Sequence, residues 1–220
     1  AEELLSKYER YFQKKIFTPI VTNDKNSVKY DSNLKMFIVS LLWRCLLDYS
    51  ITVEKNGLDL KSLNFSKPIM ENWKQYLLDH TSDTYGKFYI FPVTEKWLDN
   101  NNIPCKYHRA FLCDISWNFY IKGDTVSFYV VVPHFIFVSV LRTDSSIFLD
   151  SMEVENIGCV TTSIAPQVNL LEMLSFIGRK VEAGCDKVFK NKDEIQKKLE
   201  SDSKYLESEL CRIYKKAIIK

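Results

Sequence analysis

Leu4, Leu5, Tyr8, Tyr11, Phe12 and Ile16 recur at three- and four-residue spacings, which places them along one side of a helix. Pro19 predicts the end of that helix, because the residue before a proline is driven out of the helical region. Residues 24–33 are polar and turn-rich, with Asp31 or Ser32 suited to cap the next element by accepting bonds from its free amides. From Leu34 to Ile51 the chain is apolar almost all round, which predicts a helix enclosed by the rest of the fold. Its one polar stripe is Ser40, Arg44 and Asp48, at successive four-residue steps. Arg44 at its middle and the shortness of its unbroken apolar stretches argue against a membrane span. A third helix is predicted over Pro68 to Leu78, with Ser66 as cap, Pro68 in the first turn, and Ile69, Trp73, Tyr76 and Leu77 facing inward.

The period then changes. Lys87 to Val93 reads as a strand, and Asp99 to Asn102 as a loop ahead of Pro104. From Ala110, Phe111, Cys113, Ile115, Trp117, Phe119 and Ile121 alternate with Asp114, Ser116, Asn118 and Tyr120, which predicts a long strand with one buried and one wet face. Lys122-Gly123-Asp124 supplies a tight turn through a glycine at positive φ, and Thr125 to Val132 returns antiparallel. Phe135 to Leu141 is an apolar run fit for a strand buried on both faces, with Pro133 interrupting the ladder before it. Ile147 to Leu149 suggests a further short strand, Pro166 opens a helix toward Lys180, and Asp193 opens another that runs almost to the end. Helices, an antiparallel meander and helices again make an α+β chain, read as one domain over residues 1–220. The start at Ala1, directly in a helix and without methionine, reads as the C-terminal part of a longer protein.

Composition narrows the class. Of 220 residues 46% are apolar, enough for a sizeable core, and six glycines and six prolines give no flexible linker. The formal charge of +2 is too even to point to nucleic acid, although a local basic groove stays open. Six dispersed cysteines, several inside apolar stretches, suit free thiols in a reducing cytoplasm better than a disulfide scaffold. No glycine-rich phosphate loop, His-Glu-x-x-His helix, Gly-x-Ser-x-Gly elbow or calcium loop occurs, so no cofactor is expected.

Four groupings could carry function. Arg44, on an apolar helix, needs acceptors, and Glu9 or Asp48 can supply them; the alternative is an anion site, and a largely buried Arg44 is expected. Tyr120, Asn118 and Tyr129, with their neighbours Asp114, Ser116 and Ser127, would form a polar, tyrosine-bearing sheet face fit for a protein partner or a base. Cys105, His108 and Cys113 are metal-like in type but leave a closed zinc site one ligand short, so no structural zinc is expected. Leu199, Leu206 and Ile213 repeat every seven residues, a seam for docking on the core or for self-association.

Ser6-Lys7-Tyr8-Glu9-Arg10-Tyr11-Phe12, followed by Leu34-Lys35-Met36-Phe37 and Leu41-Leu42-Trp43-Arg44, resembles a stretch of bacterial HNH-endonuclease-like proteins that follows paired metal-binding cysteines. The likeness covers about the first fifty residues. This chain lacks the Cys-x-x-Cys pair and the ββα-metal motif, so no catalytic residue carries over. The resemblance implies a bacterial protein of a mobile-element or phage-conflict system. The expected function is a non-catalytic binding or assembly module with a protein partner. The alternative is the accessory region of a metal-dependent nuclease acting on nucleic acid.

Overall fold

The computed structural model of the chain describes residues 2–55, 60–79, 83–142, 152–162 and 168–190. Its helices are α1 (Glu2–Phe12), α2 (Ser32–Lys55), α3 (Leu60–Asp79), α4 (Glu95–Asn100), α5 (Cys105–Leu112) and α6 (Val168–Lys190), with a π-helical segment over Gln13–Thr22. The strands are β1 (Ser27–Tyr30), β2 (Lys87–Pro92), β3 (Ser116–Lys122), β4 (Thr125–Val132), β5 (Phe135–Arg142) and β6 (Gly158–Thr161). The architecture is α+β, as the alternation of periods predicts. Strands β3, β4 and β5 form the antiparallel meander and β2 adds antiparallel to β5, giving the order β2-β5-β4-β3. A separate two-stranded antiparallel sheet joins β1 to β6. Ala1–Gly178 form one compact unit and Arg179–Lys220 another, of which residues 179–190 are the second half of α6.

Strands β2, β4 and β5 are buried on both faces because they are mostly apolar, whereas the edge strand β3 is only partly buried. On one face Phe88, Phe128, Phe135 and Phe137 join a core with α1, α2 and α3. Phe12 stacks on Phe37 at 4.3 Å and meets Phe135 and Phe137 edge-on at 5.1 and 5.6 Å, the arrangements aromatic quadrupoles favour. The N-terminus of α2 is set by Asp31, whose Oδ1 accepts from the Asn33 amide at 2.9 Å. Over Ser32–Glu54 this helix is long and apolar enough, by length and composition, to cross a membrane, with mean hydropathy 1.5; half of it is buried inside the fold.

On the other face Tyr129 and Tyr120 meet Phe176 of α6 at 6.5 and 5.3 Å. Tyr107 of α5 lies so close to Gly178 that a Cβ there would fall 2.5 Å from its ring. Burial pushes the Tyr129 hydroxyl up to about 12, from 10.0 for an unburied phenol. The unfolded chain therefore loses its proton first, and this contribution to stability, intact below pH 10, declines as pH rises toward 12. Urea midpoints of the parent should fall relative to those of Tyr129→Phe across that window, by a free energy on the order of 2 kcal/mol. Parallel profiles would place Tyr129 in water.

Several elements depart from the sequence reading. The first helix does not stop before Pro19 but widens into a π-helix that contains it. The Asn23 amide donates to Thr18 O and the Lys25 amide to Pro19 O, both at 3.0 Å, so the segment closes with loops longer than an α-turn. Pro68 lies inside α3 rather than in its first turn. Ser66 is no cap: it is buried, its Oγ 3.2 Å from that of Ser50, which in turn donates to Leu46 O at 2.9 Å. Serine to serine, α3 is pinned to α2.

The long strand from Ala110 is also a misreading. Residues 105–112 are helical, because Tyr107, Ala110 and Phe111 bury at helical spacing, and β3 begins only at Ser116. Asp99 and Asn100 end α4 instead of forming a loop. Strands β1 and β6 were not legible, being four residues each and half exposed. Ile147 to Leu149, Pro166, and everything from Asp193 onward, including Leu199, Leu206 and Ile213, lie outside the described residues.

Candidate functional site

Arg44 Nη1 lies 2.7 Å from Glu9 Oε1, with side chains 37% and 48% exposed. Arg44 also donates through Nε to Ser40 O at 3.3 Å. The arginine expected from the sequence to be largely buried is thus more than a third exposed. The long side chain carries its guanidinium away from the apolar face of α2 to an exposed carboxylate on α1. An exposed pair of this kind contributes about 0.2–1 kcal/mol, not the several that breaking a buried pair costs. Asp48 is exposed and belongs to no ion pair among the described residues. Between Arg44 and Asp48, burial pushes the Cys45 thiol up to about 11.

The tyrosine-bearing sheet face is not open. Tyr129 is fully buried and Tyr120 nearly so, both under Phe176, while Ser127 is also buried. The side expected to be wet is covered by Phe176 of α6, while Trp117 and Phe119, on the side expected to be buried, do pack against the helical core. On the opposite side the helices reach Phe119, met by Tyr49 at 5.2 Å and Phe65 at 6.4 Å, and leave Ile121 at the hairpin 67% exposed. Asn118 is half-buried and its Oδ1 accepts from the Phe119 amide at 2.8 Å. The hairpin itself is as expected, with Gly123 at φ 58° in a two-residue loop closed by Lys122 and Thr125.

The metal-like residues divide. Cys105 and His108 stand three apart on the first turns of α5, hence on one face, and their donors come within 4.8 Å of each other and of a carboxylate oxygen of Asp99 from α4. Cys113 is excluded because it follows the last turn of the same helix, about 12 Å along the axis from Cys105. His108 is buried, and its Nε2 lies 2.9 Å from Ile103 O and 4.0 Å from Asp99 Oδ1. Since a carbonyl only accepts, Nε2 carries the proton. The described cysteines Cys45, Cys105, Cys113 and Cys159 are all free thiols.

Two clefts are absent from the sequence reading. One, about 280 Å³, lies between β6 and β2 and is lined by Tyr30, Ile90, Glu153, Glu155 and Cys159. The other, about 620 Å³, is lined by Lys7, Tyr8, Asp31, Met36 and Tyr76 from the helical side. Ile157 lines both and is 79% exposed, more than any other large apolar side chain described. Glu153 pairs with Lys87 at 3.1 Å. Sequence signals for this region were faint: Tyr8, Met36 and Tyr76 read as core, and Ile157 is an isolated apolar residue in a polar stretch.

No protein family, curated protein or solved structure matches the chain.

Proposed function

We propose that the chain is a non-catalytic binding module that takes a polypeptide partner across Ile157. The observation that carries this reading is the exposure of Ile157 between two clefts. An isoleucine standing in water between concave, tyrosine-lined surfaces is the arrangement that complementary apolar side chains cover on binding. The charge of the linings selects the partner class. Glu153 and Glu155 in one cleft, and Asp31 beside Lys7 in the other, disfavour a nucleic-acid backbone, which needs clustered cations. They favour a segment carrying apolar and basic side chains.

Random peptides displayed and selected against the full chain test this. Recovered peptides should be rich in apolar and basic residues, lose binding to Ile157→Asp, and keep it to Ile121→Asp. Peptides indifferent to Ile157→Asp, or none recovered at all, would remove the proposal. The alternative, an accessory region of a metal-dependent nuclease, draws only on the Asp99, Cys105 and His108 cluster; plasmid cleavage dependent on added divalent metal would put it ahead.

A further inference from the structure

The geometry points to a divalent transition-metal site of the zinc class, formed by Asp99, Cys105 and His108 and completed by water. A tetrahedral zinc ion with ligands at about 2.0–2.3 Å separates its donor atoms by roughly 3.3–3.8 Å. The donors of the three residues come within 4.8 Å of one another. Asp99 and Cys105 are both exposed, so their side chains can turn toward an ion held at His108 Nδ1, the nitrogen that the bond to Ile103 O leaves with its lone pair.

The frame that holds the donors is already rigid. Asp99 ends α4 and Cys105 begins α5, and the connection between them is bonded at each step. The Asn102 amide donates to Asp99 O at 3.0 Å, the Ile103 amide to Leu98 O at 3.0 Å, and Asn101 Nδ2 to Trp97 O at 2.7 Å. Asn102 takes φ 54°, the left-handed turn that sends the chain back toward its own helix end. Ile103 O then fixes the imidazole by accepting from Nε2, which leaves Nδ1 its lone pair. Anchoring one ring nitrogen on a carbonyl is how metal-binding histidines are oriented.

Ligand chemistry sets the ion. A thiolate with an imidazole suits zinc or cobalt and gives magnesium and calcium, which seek several oxygens, no foothold. Three protein ligands with two of them solvent-facing leave a position for water, so the ion exchanges rather than being locked in as a structural zinc. This site is independent of the peptide surface at Ile157.

Titration of the full chain with cobalt(II) chloride tests the assignment. One equivalent should produce a near-ultraviolet thiolate-to-cobalt band with visible ligand-field bands, all abolished by zinc and unaffected by excess magnesium. Cys105→Ser should lose the thiolate band, and Cys113→Ser should keep it. Asp99→Asn should weaken binding by at least the roughly ten- to hundredfold that loss of even an outer-shell partner costs. Both ligand variants alter exposed side chains, and circular dichroism confirms that they fold. Absence of the band in the parent, its persistence in Cys105→Ser, its loss in Cys113→Ser, or unchanged affinity in Asp99→Asn would each overturn the site.

Discussion

Trp73→Ala is expected to remove about 4–6 kcal/mol of stability, the sum of a buried aromatic-to-alanine cavity and a lost hydrogen bond. Trp73 is completely buried, its ring 5.8 Å from that of Phe88, and its Nε1 donates to Tyr85 O at 2.9 Å. It therefore ties α3 both to the sheet and to the segment leading into β2. Domains of this size hold about 5–15 kcal/mol in all, so the variant should be largely unfolded at modest urea concentrations. Trp73→Phe separates the two contributions, since it keeps most of the packing and drops the donor, at a cost of about 1–2 kcal/mol. Equal midpoints for the parent and the alanine variant would mean that α3 is not packed on the sheet.

Gly86→Ala should cost about 2–4 kcal/mol, combining a backbone that L residues resist with a collision that cannot relax. Gly86 takes φ 91°, and a Cβ there would fall 2.8 Å from both Ser139 Oγ and the Val140 carbonyl. The serine could rotate away, but the carbonyl belongs to the central ladder of β5. Gly123→Ala is the matched control: it has positive φ too, at 58°, but nothing within 4 Å. Its cost should be about 1 kcal/mol. If the two variants melt alike, the close approach of the residue-86 turn to β5 is wrong.

What the sequence revealed follows from how many residues voted on each point. Leu34 to Ile51 is long, so its helix and its central place were legible. The hairpin at Gly123 was legible because turn chemistry and two flanking strands agreed. The helix α5 was not, since Phe111 and Cys113 fit an alternating pattern as readily as Tyr107, Ala110 and Phe111 fit a helical one. That single error hid the rest of the site. Read as a loop and a strand, Cys105 and His108 have no defined relation; once helical, they share a face, and Asp99 from the preceding helix end joins them. The sheet face was misjudged for a different reason. Alternation tells which residues share a side, while the covering of that side by α6 depends on contacts more than forty residues apart, such as Lys122 with Glu172.

The bond from the Phe119 amide to Asn118 Oδ1 bears on how the protein lives at high concentration. β3 is the outer strand of the sheet, and the two-residue hairpin makes Phe119 a position whose amide faces away from β4. A rim of unmet donors there would be a template for another chain to copy, the first step of fibre growth. Here the middle donor is already engaged by its neighbour's side chain, so an incoming strand must break one bond to form one. At the end of the same strand stands Lys122, a charge that a growing stack would have to bury. At the β3 edge, then, the backbone offers another chain less to copy than an open strand would.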